Sequence, residues 1–503
     1  MFHFIKRGNL TNNFTTRFAW PTIHKQDSCV TLMIKNKVLR NTLAMFSGQS
    51  GAHAIALLFN IFLAKYFSKE LYGSLQFAIA YAVVFMVIAE YGLQTLLIRE
   101  IAKHKEKTNS LFWNSIILKT IFSIFAVIIA YLSLPWFSDS TQDNIIVYFT
   151  ISSLIFNSWY FSIASVFIGH QENHIEALLF FIGKIVYVVG GVLAVLLFKD
   201  IKYVALMFAV ASCFQCTIAF VCMIRKHRRL KFVVDMAIVE YLIKNGWLFF
   251  SITLFTTLHL KFDYLFIKKW HGDAGVGLYS GAYNLVLVPI MLANAFVRSM
   301  YPALSEAYNR NDKNFWKRIN LGFRWLAVLA FPVLLFMTIT GKEILSFCYR
   351  KEFTEAALAM QILLWGQGLD FFCPFAGHIL YVLNQQKKVI VITGLSVTVN
   401  IIADVILIKH YGIVGASIAM IISLSVMFIG YTLALRKWLP ISQLLKQLYP
   451  PLLIALVFSP IAWFLRPYLS FWISGPIYAS FCLATFFVTK TIKWSDLKLF
   501  SQE

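Results

Sequence analysis

The sequence predicts an all-α, polytopic membrane protein with about fourteen transmembrane helices. Three observations lead to this fold class. Of the 503 residues, 59% are hydrophobic and 14% are charged, and the mean hydropathy is +0.70, whereas soluble domains carry about 25% charged residues. Apolar runs of roughly 18 to 26 residues recur along the whole chain. The basic residues behind the net charge of +22 lie mostly between these runs, which argues against a nucleic-acid-binding protein.

Each apolar run is long enough to cross the roughly 30 Å hydrocarbon core as a helix. In chain order the predicted spans are 42–66, 73–98, 112–135, 144–168, 177–198, 203–224, 245–267, 278–302, 321–340, 356–383, 389–408, 413–435, 448–465 and 475–489. Lys and Arg are more frequent in the loops on the side of the N-terminus, and the densest loop, RKHRRLKF, lies at 225–232. We therefore expect both termini to be cytoplasmic.

Two similar passages predict an internal repeat. LYGSLQFAIAY at 71–81 and GVGLYSGAYNL at 275–285 each open a span after a short polar loop, with an offset of about 204 residues. The predicted organisation is a basic cytoplasmic tail, two pseudo-symmetric six-helix lobes joined by a basic cytoplasmic linker, and two accessory spans with a cytoplasmic C-terminus. In the same order these segments are 1–40, 41–224 (spans one to six), 225–244 (the linker), 245–435 (spans seven to twelve) and 436–503.

The predicted external loops are short, and one of the longest is 341–355. A membrane enzyme such as a glycan polymerase or ligase needs acid and base residues on a sizeable loop, so function is expected within the helix bundle. Cys213 and Cys216 form a CxxC pattern inside an apolar span, where buried small apolar side chains are a better interpretation than a metal or redox centre. We expect no metal and no cofactor.

Basic residues inside the spans are the main functional signal. Lys119, Lys184, Arg298 and Arg324 all lie in the predicted cytoplasmic third, two from each half, and Lys261 lies toward the external end of span seven. One interpretation is a shared, water-filled cleft that binds an anion. The alternative is that these side chains separately reach the headgroups from lipid-facing positions. A purely structural membrane protein would not need them.

The acidic residues inside the spans are fewer. Glu90 lies at a depth similar to that of the basic residue of span three, so a neutralising pair is one expectation. Asp370 is close to mid-bilayer and needs a proton or a cation, which makes it the main candidate coupling site. Glu90 and His378, which lies eight residues after Asp370, are further candidates for coupling. Asp263 and Asp404 lie nearer the external side, where solvation or pairing is expected.

Five passages carry a resemblance to a known family: AKYFSKELYGSLQFAIAY, GLQTLLIREIAKHK, VGLYSGAYNLV, VRSMYPALSEAYNRND and HYGIVGASIAMI. In this order and spacing, over roughly 36–490, the chain resembles the polysaccharide-transport branch of the multidrug/oligosaccharidyl-lipid/polysaccharide exporter superfamily, which includes the O-antigen flippases. The resemblance implies two helical lobes around a central cationic cavity. It also implies movement of polyprenyl-pyrophosphate-linked oligosaccharides from the cytoplasmic to the outer leaflet by alternating access. Arg298 matches the family's tendency to carry cations in span eight.

The resemblance also implies partners and a location. The expected partners are a lipid-linked oligosaccharide, membrane lipids, and polysaccharide polymerase and glycosyltransferase machinery, with no nucleic acid. The expected location is the bacterial inner membrane. A multidrug or cation antiporter of the same superfamily is the principal alternative, although such a protein would line its cavity with acids, and here the cations outnumber the acids within the spans.

Overall fold

The computed structural model describes residues 51–138, 141–227, 231–466 and 468–493, and within these ranges it contains helices and no β-strand. The predicted tail at 1–40 lies outside the described residues. The first seven helices are α1 (Gly51–Tyr66), α2 (Lys69–Glu90), α3 (Leu93–Lys103), α4 (Thr108–Ser133), α5 (Thr141–Gly169), α6 (Asn173–Phe198) and α7 (Ile201–Lys226). The next seven are α8 (Met236–Asn309), α9 (Phe315–Cys348), α10 (Ala357–Leu369), α11 (Cys373–Val382), α12 (Gln386–Leu435), α13 (Ile441–Leu465) and α14 (Phe471–Val488).

Helices α8 and α12 each contain two of the predicted spans. A straight helix of 74 residues, the length of α8, would be about 110 Å long, several times the thickness of a bilayer. The chain instead reverses at Gly272 in α8 and at Gly412 in α12, where φ is 67° and 57°. Tyr264 and Tyr279, on either side of the first reversal, have ring centroids 5.5 Å apart. Left-handed φ values at both positions explain why glycine occupies them.

The two reversals are joined to each other. His271 Nε2 donates a hydrogen bond of 2.7 Å to the carbonyl oxygen of Ile408. A Cβ on Gly412 would lie 3.3 Å from the same imidazole ring. The turn of α8 therefore packs directly on the turn of α12.

The predicted spans correspond to these helices. Eleven helical segments of the described chain are long and apolar enough to cross a membrane. Two of them, α8 and α12, hold a pair of spans each, and the shorter α1 occupies the described part of the first predicted span.

Two of the predicted spans are each broken into two helices. In the second, α2 and α3 are separated by Tyr91 and Gly92, with φ of 50° and 67°. A Cβ on Gly92 would lie 2.3 Å from the backbone nitrogen of Phe250 in α8, so the break lets two backbones approach closely. In the tenth, α10 ends at Leu369 and α11 begins at Cys373.

Helices α2 and α8 cross in direct backbone contact, which we call the α2–α8 crossing. A Cβ on Gly73 would lie 1.9 Å from the carbonyl oxygen of Asp273, and a Cβ on Gly277 would lie 2.0 Å from that of Lys69. No side chain fits at either glycine, because real Cβ atoms do not approach other atoms this closely. Gly73 and Gly277 are the equivalent positions of the two similar passages.

Ion pairs surround the α2–α8 crossing. Lys69 Nζ lies 2.7 Å from Glu355 Oε2, which connects α2 to the 3₁₀ turn before α10. The buried Lys268 Nζ lies 2.8 Å from Asp143 Oδ2 of α5 and 2.6 Å from Asp273 Oδ2. The predicted orientation places this crossing on the external side of the membrane.

Large apolar side chains cover the outside of the bundle. Leu132, Val457 and Val488 are 71%, 69% and 81% exposed, and α6, α13 and α14 leave most of their residues uncovered. Water would penalise so much uncovered apolar surface, and lipid does not. The chain is a multi-pass membrane protein.

Candidate functional site

Arg298 lies on the second half of α8 and is exposed. Its neighbours Val297 and Met300 are buried, so the helix packs on one side and presents the guanidinium on the other. Arg298 interacts electrostatically with His53 of α1 and with His378 of α11. Three helices that are distant in sequence thus bring basic side chains to one place.

Lys184 of α6 belongs to the same place. His53 interacts electrostatically with Lys184 as well as with Arg298. The Lys184 Nζ and the His53 ring both contact Phe180, at 5.7 and 6.4 Å from its ring centroid. We call His53, Lys184, Arg298 and His378 the cationic group. Its members come from both predicted lobes.

The cationic group has no acidic partner among the described residues. None of its four members forms an ion pair there, and the buried Nδ1 of His378 has no hydrogen-bond partner. The positive charges of Arg298 and Lys184 repel each other unless an anion or water compensates them. The arrangement is therefore suited to an anion, and phosphate oxygens are the ligands that Arg and Lys bind best.

Lys119 is placed elsewhere. It is completely buried in α4, and its Nζ lies 2.9 Å from Glu90 Oε1 of α2 and donates to the carbonyl oxygen of Ser158 at 3.3 Å. The neutralising pair expected for Glu90 is present. The structure does not bring Lys119 into the cationic group, because its charge is already balanced inside the first six helices.

Arg324 also lies apart from the cationic group. Its Nε donates to Gln447 Oε1 of α13 at 2.7 Å, and an Nη donates to the carbonyl oxygen of Thr491 at 3.3 Å. Arg324 therefore faces α13 and the end of α14, which are the two accessory helices. Depth along a helix, the basis of the sequence prediction, does not fix the direction in which a side chain points.

Lys261 lies toward the predicted external end of its span, away from the cationic group. It is half-buried, with its Nζ 4.7 Å from the ring centroid of Tyr264, and it interacts electrostatically with Asp263. Sequence reasoning assigned it to the anion-binding set, but the structure groups it with acidic residues.

Asp263 of α8 and Asp404 of α12 form a buried acidic pair. They are 3% and 0% exposed and interact electrostatically with each other. Asp263 Oδ1 accepts from the backbone N–H of Tyr264 at 2.9 Å, whereas Asp263 Oδ2 and both oxygens of Asp404 have no hydrogen-bond partner in the described part of the chain. Their burial contradicts the expected solvation near the external side, whereas the expected pairing is met in part, because Asp263 interacts electrostatically with Lys261.

Lys261 supplies one positive charge for two buried carboxylates, so the pair still needs a proton or a further cation to reduce its repulsion. A sequence signal was available for part of this site, since Asp404 is a carboxylate within an apolar run. The partner on α8 is too distant in sequence to be recognised. No set of three or more His, Cys, Asp or Glu side chains within the described ranges could hold a metal ion.

Asp370 lies in the break between α10 and α11 and is the C-cap residue of α10. It is half-buried and interacts electrostatically with Tyr283 of α8. No ion pair of Asp370 is present in the described part of the structure. Its role in coupling stays a prediction.

Family membership follows from a match that covers more than half of the chain. Residues 38–308 match the model of the family described as polysaccharide biosynthesis protein. The chain belongs to this family. Residues 274–479 also match the family described as lipid II flippase MurJ, so the two models together cover most of the described helices.

Curated relatives of this polysaccharide biosynthesis family member are distant. A probable low-salt glycan biosynthesis flippase of Haloferax volcanii is 27% identical over 163 residues, which is 32% of this chain and 34% of that protein. The lipid II flippase MurJ of Bacillus subtilis is 28% identical over 140 residues, 27% of this chain and 26% of that protein. The matched segments span about a third or less of these relatives' lengths.

Solved structures share the fold of this family member over nearly their whole length. A lipid II flippase MurJ in an inward closed conformation has a TM-score of 0.73 at 17% identity and covers 88% of this chain and 99% of its own. An inward-facing multidrug resistance transporter of the MATE family has a TM-score of 0.60 at 15% identity, covering 78% and 96%. At these identities the likeness concerns the fold.

Proposed function

We propose that this protein is a flippase that moves a lipid-linked oligosaccharide across the membrane, with the cationic group as the binding site for its phosphate-bearing headgroup. The observation that carries this proposal is the position of Arg298. It is an exposed guanidinium within a membrane helix, grouped with Lys184, His53 and His378 from three other helices. Membership in the polysaccharide biosynthesis protein family supports a glycan cargo.

The energetics explain why a flippase needs such a group. A diphosphate cannot enter about 30 Å of hydrocarbon without a compensating environment, because the cost of burying bare charge is tens of kcal/mol in an apolar medium. Basic side chains inside a hydrated cleft replace the water and counter-ions that the headgroup leaves behind. No bond is made or broken, so the protein acts as a transporter and needs no catalytic residues.

The finer features of the proposal concern cargo and location. We propose a polyprenyl-pyrophosphate-linked oligosaccharide for a surface polysaccharide of the O-antigen type, moved from the cytoplasmic to the outer leaflet of a bacterial inner membrane. Glycosyltransferase machinery would supply this cargo, and polymerase machinery would consume it. Both termini are cytoplasmic in this scheme, as the distribution of Lys and Arg predicts.

We further propose that acidic residues couple transport to an ion gradient. The buried Asp263–Asp404 pair is better suited than Glu90, because Glu90 is already neutralised by Lys119. Asp370 at the helix break remains a second candidate, and His378 is reassigned to the cationic group.

In proteoliposomes, Asp404→Asn should remove the stimulation of transport by a proton or sodium gradient. Undiminished stimulation in that variant would exclude the pair.

The central experiment measures transport of a labelled polyprenyl-pyrophosphate-linked oligosaccharide in proteoliposomes, with Arg298→Ala compared with the unmodified protein. We expect transport to fall at least about ten-fold, because losing one charge-assisted contact to phosphate removes about 1.5 to 3 kcal/mol. Arg298→Lys should recover part of the activity if charge suffices, and little if the bidentate geometry of guanidinium is required.

Arg310→Ala is the matched control. Arg310 directly follows the C-terminal end of the same helix, is 74% exposed and pairs only with Glu306 in the described structure, so its loss should leave transport unchanged. Normal transport by Arg298→Ala would refute the role of the cationic group.

An exporter of cationic drugs is the alternative that the fold permits, and the buried Asp263–Asp404 pair is the observation in its favour. The two functions make opposite demands on charge, since the cationic group would repel a cationic cargo. Transport of an organic cation that survives Arg298→Ala and is abolished by Asp404→Asn would favour the exporter.

A further inference from the structure

A cavity lined by two cations lies beside the accessory helices α13 and α14, separate from the cationic group. It has a volume of about 400 Å³ and lies between α9, α13 and the segment that follows α14. Arg324 and Lys490 supply two positive charges, and Tyr449, Leu453 and Ile454 supply an apolar wall. The proposed transport function makes no use of it.

Arg324 is held in place by neutral groups only. Its hydrogen bonds go to the Gln447 side chain and to the Thr491 carbonyl oxygen, and it forms no ion pair within the described ranges. These two bonds fix the plane of the guanidinium without neutralising it. A fixed, uncompensated guanidinium is the usual form of a phosphate-binding site.

The end of α14 brings Lys490 to the same cavity. Lys490 has a φ of 56°, and the chain folds back so that the backbone N–H of Ile492 donates to the carbonyl oxygen of Phe486 at 3.1 Å. This reversal is a common way for a helix to end. It places the exposed Lys490 and the Thr491 carbonyl beside Arg324.

The apolar side of the cavity continues onto the lipid-facing surface. Tyr449 and Leu453 line the cavity and are 53% and 52% exposed, and Val457, one turn further along α13, is 69% exposed. Arg324, Tyr449 and Lys490 lie at the ends of their predicted spans on the same side of the membrane. A ligand there meets cations at headgroup depth and an apolar groove along a helix.

We propose that this cavity binds an anionic phospholipid of the adjacent leaflet, with its headgroup phosphate on Arg324 and Lys490 and an acyl chain along α13. Such a lipid links α9, α13 and the end of α14 at one point. The accessory helices are thereby fastened to the bundle by a component of the membrane as well as by protein contacts.

The test measures binding of phosphatidylglycerol to the purified full-length protein in detergent by native mass spectrometry, with thermal unfolding as a second readout. Phosphatidylcholine and inorganic phosphate are run in parallel. Each basic residue near a membrane surface contributes about 1 kcal/mol to binding an anionic lipid. We therefore expect Lys490→Gln to weaken binding about five-fold and the double variant with Arg324→Gln about thirty-fold.

The control is Arg310→Gln with Lys313→Gln, which removes two exposed cations on the same predicted side of the membrane. It should bind phosphatidylglycerol like the unmodified protein. Unchanged binding by Lys490→Gln, an equal loss in the control, equal binding of phosphatidylcholine, or equal stabilisation by inorganic phosphate would each overturn the proposal. Lys490 is exposed and forms no side-chain hydrogen bond within the described residues, so its single variant should fold even if Arg324→Gln does not. Neither readout depends on transport.

Discussion

At the scale of single residues, the ion pair between Lys119 and Glu90 shows what a charge inside the membrane requires. The two side chains are almost fully buried and lie 2.9 Å apart. Burial makes each charge costly, and the partner offsets that cost. Removing one partner is therefore more harmful than removing both.

We expect Lys119→Met to destabilise the protein by about 3 to 5 kcal/mol, since it leaves a buried carboxylate without a cation. The measurement is the midpoint of thermal unfolding in detergent. The double variant with Glu90→Gln should recover much of the loss, because no charge is then left unpaired. If the double variant were as unstable as the single one, packing and not charge would be the function of Lys119.

Residue depth was readable from sequence, and side-chain direction was not. Position along an apolar run was enough to predict the Glu90–Lys119 pair. The same reasoning grouped Arg324 with Arg298, although the partners of Arg324 are Gln447 and Thr491, far along the chain. His53 was not singled out, because a lone histidine within an apolar run gives no signal until α6 and α8 are placed beside it.

At the scale of helices, the α2–α8 crossing depends on two glycines. A substitution of either forces the two backbones apart, because the carbonyl oxygens of Asp273 and Lys69 occupy the space of a Cβ.

We expect Gly73→Ala to lower the unfolding midpoint and to reduce transport. Gly394→Ala is the matched control, since nothing lies within 4 Å of a Cβ there. In a helix interior alanine is favoured over glycine by about 0.5 to 1 kcal/mol, so the control should be neutral or slightly stabilising. Equal effects at both positions would show that the crossing tolerates separation.

Helix existence was well predicted, and helix breaks were not. Hydropathy locates spans because the bilayer sets their length. The interruption at Asp370 has local signals, Gly366 and Gly368 before it and Pro374 after it. The interruption at Tyr91–Gly92 has only one glycine as a local signal, and there a neighbouring helix determines the bend. At Gly92 that neighbour is Phe250, more than 150 residues later in the sequence.

At the scale of the whole molecule, the alternating access proposed for this protein predicts that α2 and α8 separate at the α2–α8 crossing. The ion pairs of Lys69 with Glu355 and of Lys268 with Asp143 join the two predicted lobes beside this crossing, and the cationic group lies away from it, toward the opposite end of the second half of α8.

We expect a covalent link between the two predicted lobes, placed beside the crossing, to stop transport. Cysteines replacing Lys69 and Glu355, in a chain whose seven native cysteines are removed, can be joined by a short thiol-reactive linker that a reductant cleaves. Transport should be lost on linking and restored on cleavage. The same linker applied to a chain with the Lys69 cysteine alone should change nothing, and transport that persists in the linked protein would contradict the need for separation.

The hydrogen bond from His271 to Ile408 has a consequence for how such movement is divided. It joins the reversals at Gly272 and Gly412 into one rigid unit, from which both halves of α8 and both halves of α12 extend. Asp263 and Asp404 lie on two of these helix halves, so the distance between them should stay constant during the conformational cycle. The hydrated cleft of the proposed function would change shape around them. An ion bound between these carboxylates would keep the same ligands throughout the cycle. Only its accessibility to water would change.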